Sequence, residues 1–497
     1  MTGNLPGDAG GRLGLAGLGA VPEPARPGYD PRDLQVGLVH LGAGAFFRAH
    51  QAWYTHQVTS GGDHTWGVLA SSQRSPAVTD RLAAQDGLYS LLVRPTHGPP
   101  SVGVVGVIRR TACAAVDPQP IIDALTSPDV HAVTLTVTEK GYRLDGGRLR
   151  LDGEIDADLA GRPPETVVGQ LVRGLQGRAV HGAGPIALIS CDNLSDNGVV
   201  LSRLVRDFAE RLSGPDAEVT REYIERQTTF PSTMVDRIVP ATADADRAEA
   251  HRLLTVRDDA AVVAEPFTQW VISDEFLGPR PAWEKAGATL TTDVAGYERV
   301  KLRLLNATHS LIAYLGALAG YRTIADALAD PLIERAARTL IEQDTIPTLT
   351  APDGLDLAAY SEDVLSRFAN PALGHRTAQV GMDGSQKLPQ RILSAVRERR
   401  STGAVPRIGA LLVAAWMRFL LGRDDQGGTL EVSDPMAGRL VQLLDSAVPT
   451  RETVRNVLAV REVFCDDLAH DDQFVDAVTY WYTALRDHGV APTLQGV

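Results

Sequence analysis

The first half of the chain alternates short apolar runs with helical patterns. The run from Val36 to His40 is apolar and strand-like, and similar runs follow as WGVLAS, HAVTLTVT and GPIALISC. Between or after them come VVGQLVRGLQG and VLSRLVRDFAERL, in which apolar residues recur at three- and four-residue steps. Strands that alternate with helices in this way predict a mainly parallel α/β sheet.

The pattern changes beyond about Phe230 and becomes mostly helical from about Glu298. Helical periodicity runs through RVKLRLLNATHSLIAYLGALAG, PLIERAARTLIEQD, GALLVAAWMRFLLG and QFVDAVTYWYTALRDHG. Residues 1–34 are rich in Gly, Pro and Ala and have no sustained period. We therefore predict a flexible leader over residues 1–34, an α/β domain over residues 35–229 and a mostly α-helical domain over residues 230–497.

Charge and cysteine content narrow the class of protein. The 48 Lys and Arg residues are outnumbered by 61 Asp and Glu residues, and the net charge of -13 argues against nucleic acid as a partner. The three cysteines are far apart and show no zinc-site spacing, which predicts a metal-free protein of the reducing cytoplasm. Since no apolar run approaches 18 residues, we expect no membrane span. The sequence carries no mark of the oligomeric state, and the expectation is a monomer or small homo-oligomer.

A glycine turn follows the first predicted strand. Gly42 and Gly44 stand between that strand and a helix beginning near Phe46, which is the context of a dinucleotide-binding fingerprint. One glycine allows a tight turn, and the other lets the backbone approach a pyrophosphate at the helix N-terminus. Phe47 replaces the third glycine of the usual motif, so an ordinary tight turn is the alternative. The candidate cofactor contacts here are Gly42, Gly44, Ala45, Phe46 and Arg48.

The end of the second predicted strand lacks an expected acidic residue. A carboxylate at this place commonly holds the ribose 2′-hydroxyl of NAD. The segment WGVLASSQRS offers Ser71, Ser72 and Arg74 instead. Ser72 and Arg74 are therefore candidate ribose contacts, and both NAD and NADP remain open as cofactors.

A lysine, an asparagine and a histidine interrupt an apolar helical pattern in GYERVKLRLLNATHSLIAYLG. Glu298, Lys301 and His309 are related by steps of three and four residues through Leu305, so they share one helix face, and Asn306 flanks His309. The alternative is an amphipathic helix whose lysine points to water. Three polar groups within one apolar stretch favour a site.

These side chains suit hydride transfer between an alcohol carbon and nicotinamide without a metal. That reaction needs a group that exchanges the hydroxyl proton and donors that stabilise the charge developing on oxygen. We predict Lys301 as the acid/base, provided that burial lowers its pKa. Asn306 and His309 would donate to the substrate oxygen, and Glu298 would pass protons to solvent.

These segments together resemble the polyol-specific long-chain dehydrogenase/reductase family, which includes mannitol 2-dehydrogenases and fructuronate reductases. The resemblance extends from about Val36 to about Gly489 through HLGAGAFFRAHQA, TVTEKGY, SCDNLSDNG, FPSTMVDRIVP, EPFTQWVISDEF, KLRLLNATHS and NPALGHRTAQVGMDGSQKLPQR. It implies a Rossmann-type N-terminal domain, a helical C-terminal domain, an active site in the cleft between them, NAD as the usual cofactor and no metal. It also implies the roles given above to Lys301, Asn306, His309 and Glu298.

The resemblance further implies substrate contacts at Asn193, Asp236 and Lys387 and a cofactor contact at Glu139. Lys140 stands where mannitol 2-dehydrogenases tend to have glycine, and His375, Arg376, Lys387 and Arg391 share one segment. Gln386 and Gln379 also depart from the mannitol-type pattern, and the set is similar to fructuronate reductases. Because a carboxylate in a cleft needs cations, we expect a sugar acid, with Lys140, His375, Arg376 and Lys387 as candidate contacts.

Three readings follow from the sequence. The first is NAD(P)-dependent interconversion of D-fructuronate and D-mannonate. The second is a mannitol or other polyol 2-dehydrogenase with the same catalytic residues and a neutral substrate, in which the basic residues are solvated surface charges. The third is a nucleotide-binding sensor without catalysis, against which the presence of all three catalytic side chains argues.

Overall fold

The computed structural model describes residues 11–444, 450–465 and 467–497. It divides the chain into two compact units, of which the first ends at Ala295 and the second begins at Gly296. The strands, numbered in chain order, all lie in the first unit: β1 Val36–Leu41, β2 Gly67–Ser72, β3 Tyr89–Val93, β4 Ser101–Val105, β5 Ile108–Cys113, β6 Ala132–Leu135, β7 Leu144–Asp145, β8 Arg148–Leu149, β9 Ile186–Ser190, β10 Thr228–Thr229, β11 Thr233–Asp236, β12 Val262–Ala264, β13 Gln269–Ser273 and β14 Thr289–Thr291.

The central sheet of the first unit has the strand order β10-β9-β6-β1-β2-β5, and every pairing in it is parallel. The chain builds outward from β1 through β2 to β5, then crosses back to β6 and continues to β10. This reversal beside β1 is the switch point at which doubly wound sheets bind ligands, outside the carboxyl ends of their strands. The predicted Rossmann-type α/β class is confirmed.

Helices cover both faces of this sheet. They are α1 Ala45–Ala49, α2 Gln51–Ser60, α3 Ala77–Ala83, α4 Gln119–Thr126, α5 Gly153–Leu159, α6 Val167–His181, α7 Asn197–Ala209, α8 Ala217–Gln227 and α9 Asp244–Leu254. Neighbouring residues of β1 enter different apolar clusters, since Leu38 packs with Trp270 and Trp283 whereas Val39 packs with Leu171 and Leu204. Burial on both faces explains why the strands read as nearly continuous apolar runs.

Residues 230–295 belong to the first unit, whereas the sequence pattern assigned them to the second. β11, β13 and β14 form a three-stranded sheet, and β12 pairs in parallel with β3. The change of pattern near Phe230 therefore marks the end of the central sheet and not the end of the compact unit.

The leader prediction is corrected for the residues that the structure describes, while residues 1–10 lie outside them. Leu13 and Val21 are fully buried in a cluster with Leu88 and Leu254. This segment contains short 3-10 turns at Leu18–Ala20, Glu23–Ala25 and Pro31–Asp33. The apolar residues of this segment are too irregularly spaced to predict a helix or a strand. They are nevertheless buried against the first unit.

The second unit is helical, as predicted. Its helices are α10 Val294–Val300, which begins just before the boundary, α11 Ala307–Leu318, α12 Ile324–Leu328, α13 Pro331–Thr339, α14 Leu357–Phe368, α15 Thr377–Gly381, α16 Gly384–Leu388, α17 Ser394–Ser401, α18 Arg407–Leu420, α19 Ala437–Leu444, α20 Arg451–Leu458, α21 Arg461–Phe464, α22 Asp472–His488 and α23 Val490–Leu494. Every residue of α11 is buried, as expected of a helix that is apolar all round.

Among the described residues of this unit, three π-helical segments join helices, at Lys301–Asn306, Leu340–Thr345 and Pro389–Leu393. Segments of this kind are rare and occur often at functional sites. The first of them contacts both of the others. None of the helices within the described residues combines the length and apolar character needed to cross a membrane.

Candidate active site

The glycine turn lies at the carboxyl end of β1, in the first unit. Gly42 has a φ of 107°, and a Cβ atom there would stand 2.1 Å from the carbonyl oxygen of Thr136. Gly44 caps α1, and a Cβ atom there would meet no atom closer than the Gly42 oxygen at 3.8 Å. The protein itself therefore requires glycine at position 42, whereas the open space at Gly44 suits the approach of a pyrophosphate. The residues of this turn fit a dinucleotide.

His40 holds the turn in place, a role that the sequence analysis missed. Its Nε2 lies 3.1 Å from the Gly42 oxygen, which only accepts, so Nε2 donates and Nδ1 accepts from the Thr134 hydroxyl at 2.7 Å. The ring stacks on Phe47 with centroids 3.6 Å apart. Burial lowers the His40 pKa to about 3, so the ring is neutral at physiological pH. The sequence signal was a polar residue inside an apolar strand.

The other predicted contacts near this turn differ in surroundings. Phe46 is half-buried and stacks on His50, and Ala45 is half-buried. Arg48 is buried, donates to the carbonyl oxygens of Gly44 and Ala260, and lies over the ring of Tyr89. These contacts give Arg48 a structural role in fixing α1, and its role as a cofactor contact stays a prediction.

A cleft of about 780 Å³ runs beside the ends of β2 and β5 in the same unit. Arg74 and Lys140 both line it, so the structure brings a predicted cofactor contact together with a predicted substrate contact. Glu139 is exposed and begins the 3-10 turn Glu139–Tyr142, which also carries Lys140. Ser72 is buried at the end of β2, 3.5 Å from the Thr79 hydroxyl.

Asp192 anchors the loop that carries Glu139 and Lys140. Its carboxylate accepts hydrogen bonds from the amides of Val137 and Thr138 at 2.9 and 2.8 Å, and from the Tyr142 hydroxyl at 2.7 Å. Burial raises the pKa of this carboxyl despite those bonds. Asn193 follows it in the exposed loop after β9. The sequence motif SCDN, which contains Asp192, did not predict this contact with the loop that contains TEKGY.

Asp236 ends β11 and is buried. The neighbouring Arg237 donates to the Glu265 carbonyl oxygen at 3.1 and 2.9 Å and to that of Ala49, and burial lowers its pKa to about 10. Arg237 thereby joins the end of β11 to the last residue of α1. The predicted substrate role of Asp236 stays a prediction.

In the second unit, the three predicted catalytic side chains are all buried. Lys301 is 7 % exposed, Asn306 is 6 % exposed and His309 is 8 % exposed. The alternative of a lysine pointing to water does not hold for Lys301. Glu298, three residues earlier on α10, is half-buried.

The helix face on which these residues lie differs from the one that the sequence predicted. Lys301 and Asn306 begin and end a π-helical segment, in which the amide of Ala307 donates to the carbonyl oxygen of Leu302, five residues back. In such a turn residues five apart lie above one another, whereas the sequence analysis assumed α-helical steps of three and four. The π segment therefore brings Lys301 and Asn306, five residues apart, nearer to one helix face than an α-helix would.

Asn306 and His309 each retain a buried polar atom without a partner. Within the described residues, Nδ2 of Asn306 and Nε2 of His309 form no hydrogen bond. A buried donor without a partner costs about 1–3 kcal/mol and needs an explanation. A substrate oxygen between them would satisfy both groups.

The His309 ring is fixed by aromatic contacts and is neutral. It stacks on Phe368 at 4.4 Å and meets the edge of His375 at 5.0 Å. Burial, together with the nearby charges of His375, Arg391, Arg367 and Lys387, holds its pKa well below the usual value. A neutral imidazole can carry its proton on Nε2 and donate it to an oxygen.

Lys387 and Arg391 are partly buried cations close to this ring. Lys387 Nζ donates to the Met382 oxygen at 2.6 Å, and burial with the adjacent Arg391 charge lowers the Lys387 pKa to about 8. Arg391 donates to the Ser310 hydroxyl at 2.8 Å. Neither cation forms an ion pair with a carboxylate of the described chain.

Arg376 does not join this group, although the sequence placed it there. Its side chain is 60 % exposed and pairs with Glu431 at 3.5 Å. It lines a separate depression of about 260 Å³ with Tyr321 and Leu430. Adjacent residues of an extended segment point to opposite sides, so His375 faces inward and Arg376 outward.

No group of three or more His, Cys, Asp or Glu side chains in the described part of the chain is arranged to hold a metal ion. Cys113 and Cys191 are buried and Cys465 is exposed, and all three are free thiols. The chemistry assigned to Lys301, Asn306 and His309 uses protons and hydrogen bonds alone.

Comparisons with known proteins identify the family of the chain. Residues 36–285 match the family model of the mannitol dehydrogenase Rossmann domain, and residues 293–486 match that of the mannitol dehydrogenase C-terminal domain. Among relatives, the D-mannonate oxidoreductase of Escherichia coli (strain K12) is 39% identical over 94% of this chain and 96% of its own. The mannitol 2-dehydrogenase of Phaeosphaeria nodorum is 34% identical over 94% and 82%.

A solved structure also matches both units. The Pseudomonas fluorescens mannitol 2-dehydrogenase, in a ternary complex with NAD and D-mannitol, is 34% identical with a TM-score of 0.86, covering 98% of this chain and 99% of that chain. The two family models together span most of the sequence. The chain therefore belongs to the mannitol dehydrogenase family and is an oxidoreductase.

Proposed function

We propose that this oxidoreductase interconverts D-fructuronate and D-mannonate with NAD(H). The observation that carries the proposal is the pair of partly buried cations, Lys387 and Arg391, which have no ion-paired carboxylate within the described chain and lie close to His309. Cations removed from water cost several kcal/mol unless opposite charges compensate them. Asp383 and Asp434 stabilise the charge of Lys387 from beyond ion-pair distance, whereas no carboxylate does so for Arg391. A substrate carboxylate would add a counter-charge that a neutral polyol lacks.

The carbonyl of the substrate is bound and polarised by the second unit. Asn306 Nδ2 and His309 Nε2 donate to the ketone oxygen, which satisfies the two buried atoms that lack partners. Lys301, aligned with Asn306 by the π segment, gives its proton to that oxygen as the alcohol forms. Glu298 then returns a proton from solvent to Lys301.

The nicotinamide ring, when bound, supplies the hydride that the ketone carbon receives. In the first unit, Gly42 and Gly44 leave the backbone free to approach the pyrophosphate of this cofactor. His40 keeps that turn fixed. Oxidation of D-mannonate is the same sequence in reverse, with neutral Lys301 accepting the hydroxyl proton.

The relatives support both a sugar acid and a polyol as substrates of the family. The name of the Escherichia coli relative specifies D-mannonate, and the Pseudomonas fluorescens structure contains D-mannitol. Mannitol 2-dehydrogenase activity is therefore the second candidate. In its favour, Lys387 and Arg391 already donate to Met382 and Ser310, which reduces their need for an external anion.

A pair of matched variants tests the choice. Lys387→Met removes a partly buried cation beside His309, whereas Arg376→Met removes an exposed cation from the same segment. We expect Lys387→Met to raise KM for fructuronate about tenfold or more, and to leave that for fructose within about twofold. Arg376→Met should change neither. Equal losses on both sugars with Lys387→Met would contradict the proposal.

The Lys301→Ala variant tests the hypothesis that the protein is a nucleotide-binding sensor without catalysis. We expect turnover to fall by about 10²–10⁴-fold while the affinity for NADH, measured by its fluorescence, is kept. Unchanged turnover would refute the role of Lys301. The fold of the variant is checked by its thermal unfolding.

A further inference from the structure

The cleft beside β2 lacks the acidic residue that selects NAD. In doubly wound folds, a carboxylate after this strand binds the ribose 2′-hydroxyl and repels a 2′-phosphate. Here β2 ends at Ser72, and Gln73 and Arg74 follow and line the cleft. The place of the carboxylate is taken by an uncharged amide and a guanidinium.

Gln73 is fixed by a hydrogen bond from a neighbouring helix. Its Oε1 accepts a hydrogen bond from Nε2 of the fully buried Gln170 at 3.0 Å. With that acceptor engaged, Gln73 Nε2 is buried and has no hydrogen-bond partner among the described residues. The amide is uncharged, so it adds no negative charge at the cleft that would repel a 2′-phosphate.

Four cations and two carboxylates, Glu154 and Glu165, line the cleft, so its charge is favourable to an anion. Arg74, Lys140 and Arg162 line it, and none of them forms an ion pair within the described chain. A fourth cation, Arg143, is neutralised by Asp152 and Glu154. A 2′-phosphate carries a charge of about −1.5 to −2 at neutral pH and pairs with arginine through two parallel hydrogen bonds.

We propose that this cleft accepts NADP(H) as well as NAD(H), with Arg74 as the partner of the 2′-phosphate and Gln73 as the residue that permits both nucleotides. This inference shares one assumption with the proposed function, namely that a nicotinamide nucleotide binds the first unit. It does not depend on which sugar the second unit takes.

Equilibrium titration of the full-length protein without sugar tests it, by the fluorescence of NADPH and of NADH. For the unmodified chain we expect the two Kd values to agree within about tenfold. Arg74→Ala should raise the ratio of Kd for NADPH to Kd for NADH about tenfold. Arg226→Ala removes an exposed arginine from α8 that pairs with Glu222, and it should leave the ratio unchanged.

Gln73→Asp provides a second variant with the opposite chemistry. The new carboxylate should weaken NADPH and retain NADH, which raises the same ratio by about tenfold or more. NADH binding without measurable NADPH binding in the unmodified protein would overturn the inference while leaving the proposed function intact. An unchanged ratio in Arg74→Ala would also overturn it. Binding of both nucleotides by a protein inactive on fructuronate would reject the proposed function and support this inference.

Discussion

Lys301 and Asn306 stand at the two ends of one π-helical turn, with both side chains buried. The turn is capped at its end by Arg391, which donates to the Ser310 hydroxyl and lies 3.4 Å from the Asn306 carbonyl oxygen. Because a π turn brings residues five apart nearer to one helix face, the proposed acid/base and one proposed donor to the carbonyl share that face. The proposed chemistry depends on this register.

Insertion of one alanine after Leu302 tests the register. Lys301 and the asparagine are then six positions apart, a spacing that places two side chains on different faces of the helix, while the helix itself continues. We expect kcat to fall about 100-fold or more, with a thermal unfolding transition that stays cooperative. The measurement is steady-state kinetics beside calorimetry. A folded insertion variant with undiminished kcat would show that the spacing of Lys301 and Asn306 is not needed.

Two alanine substitutions in the glycine turn should have different effects. Gly42→Ala places a Cβ atom 2.1 Å from the Thr136 oxygen at a φ of 107°, so we expect a lower Tm. Gly44→Ala meets no close protein atom, so we expect the Tm to be kept and NADH affinity to fall. Thermal unfolding and NADH titration of both variants separate the effects. A loss of stability with Gly44→Ala and none with Gly42→Ala would contradict this account of the turn.

The pKa of Lys387 near 8 predicts a pH dependence specific to the sugar acid. Burial lowers this pKa, so Lys387 is charged below pH 8 and neutral above it. We expect the ratio of kcat/KM for fructuronate to kcat/KM for fructose to fall as pH rises through about 8. The ratio cancels titration of Lys301, which both substrates need.

Lys387→Arg supplies the control for this profile. An arginine stays charged throughout the range, so the fall of the ratio should disappear. A ratio that is flat with pH in the unmodified protein would argue that Lys387 meets no carboxylate.

The fold class and the burial of the three proposed catalytic side chains could be predicted from the sequence because both follow from local patterns. Strand and helix periods indicated the α/β unit and the helical unit, and three polar residues in an apolar helix indicated Lys301, Asn306 and His309. The π turn could not be predicted, because its residues fit an α-helical period equally well. Only the i to i−5 hydrogen bond from Ala307 to Leu302 distinguishes the two forms.

The remaining departures arise from tertiary contacts. Arg376 and His375 are neighbours in sequence, but one pairs with Glu431 at the surface while the other lies beside His309. Leu13 is buried although its surroundings are rich in glycine, since burial depends on the partner surface and not on local period. His40 forms a hydrogen bond with Thr134, almost a hundred positions away in the sequence. Asp192 accepts one from the amide of Val137, more than fifty positions away.

The most direct test of the account is the substrate preference of the unmodified protein. Steady-state assays with NADH on D-fructuronate and D-fructose, under the same conditions below pH 8, give the two values of kcat/KM. The cations beside His309 predict a value for fructuronate at least about tenfold higher than for fructose. A higher value for fructose would contradict the sugar-acid assignment and identify the protein as a polyol dehydrogenase.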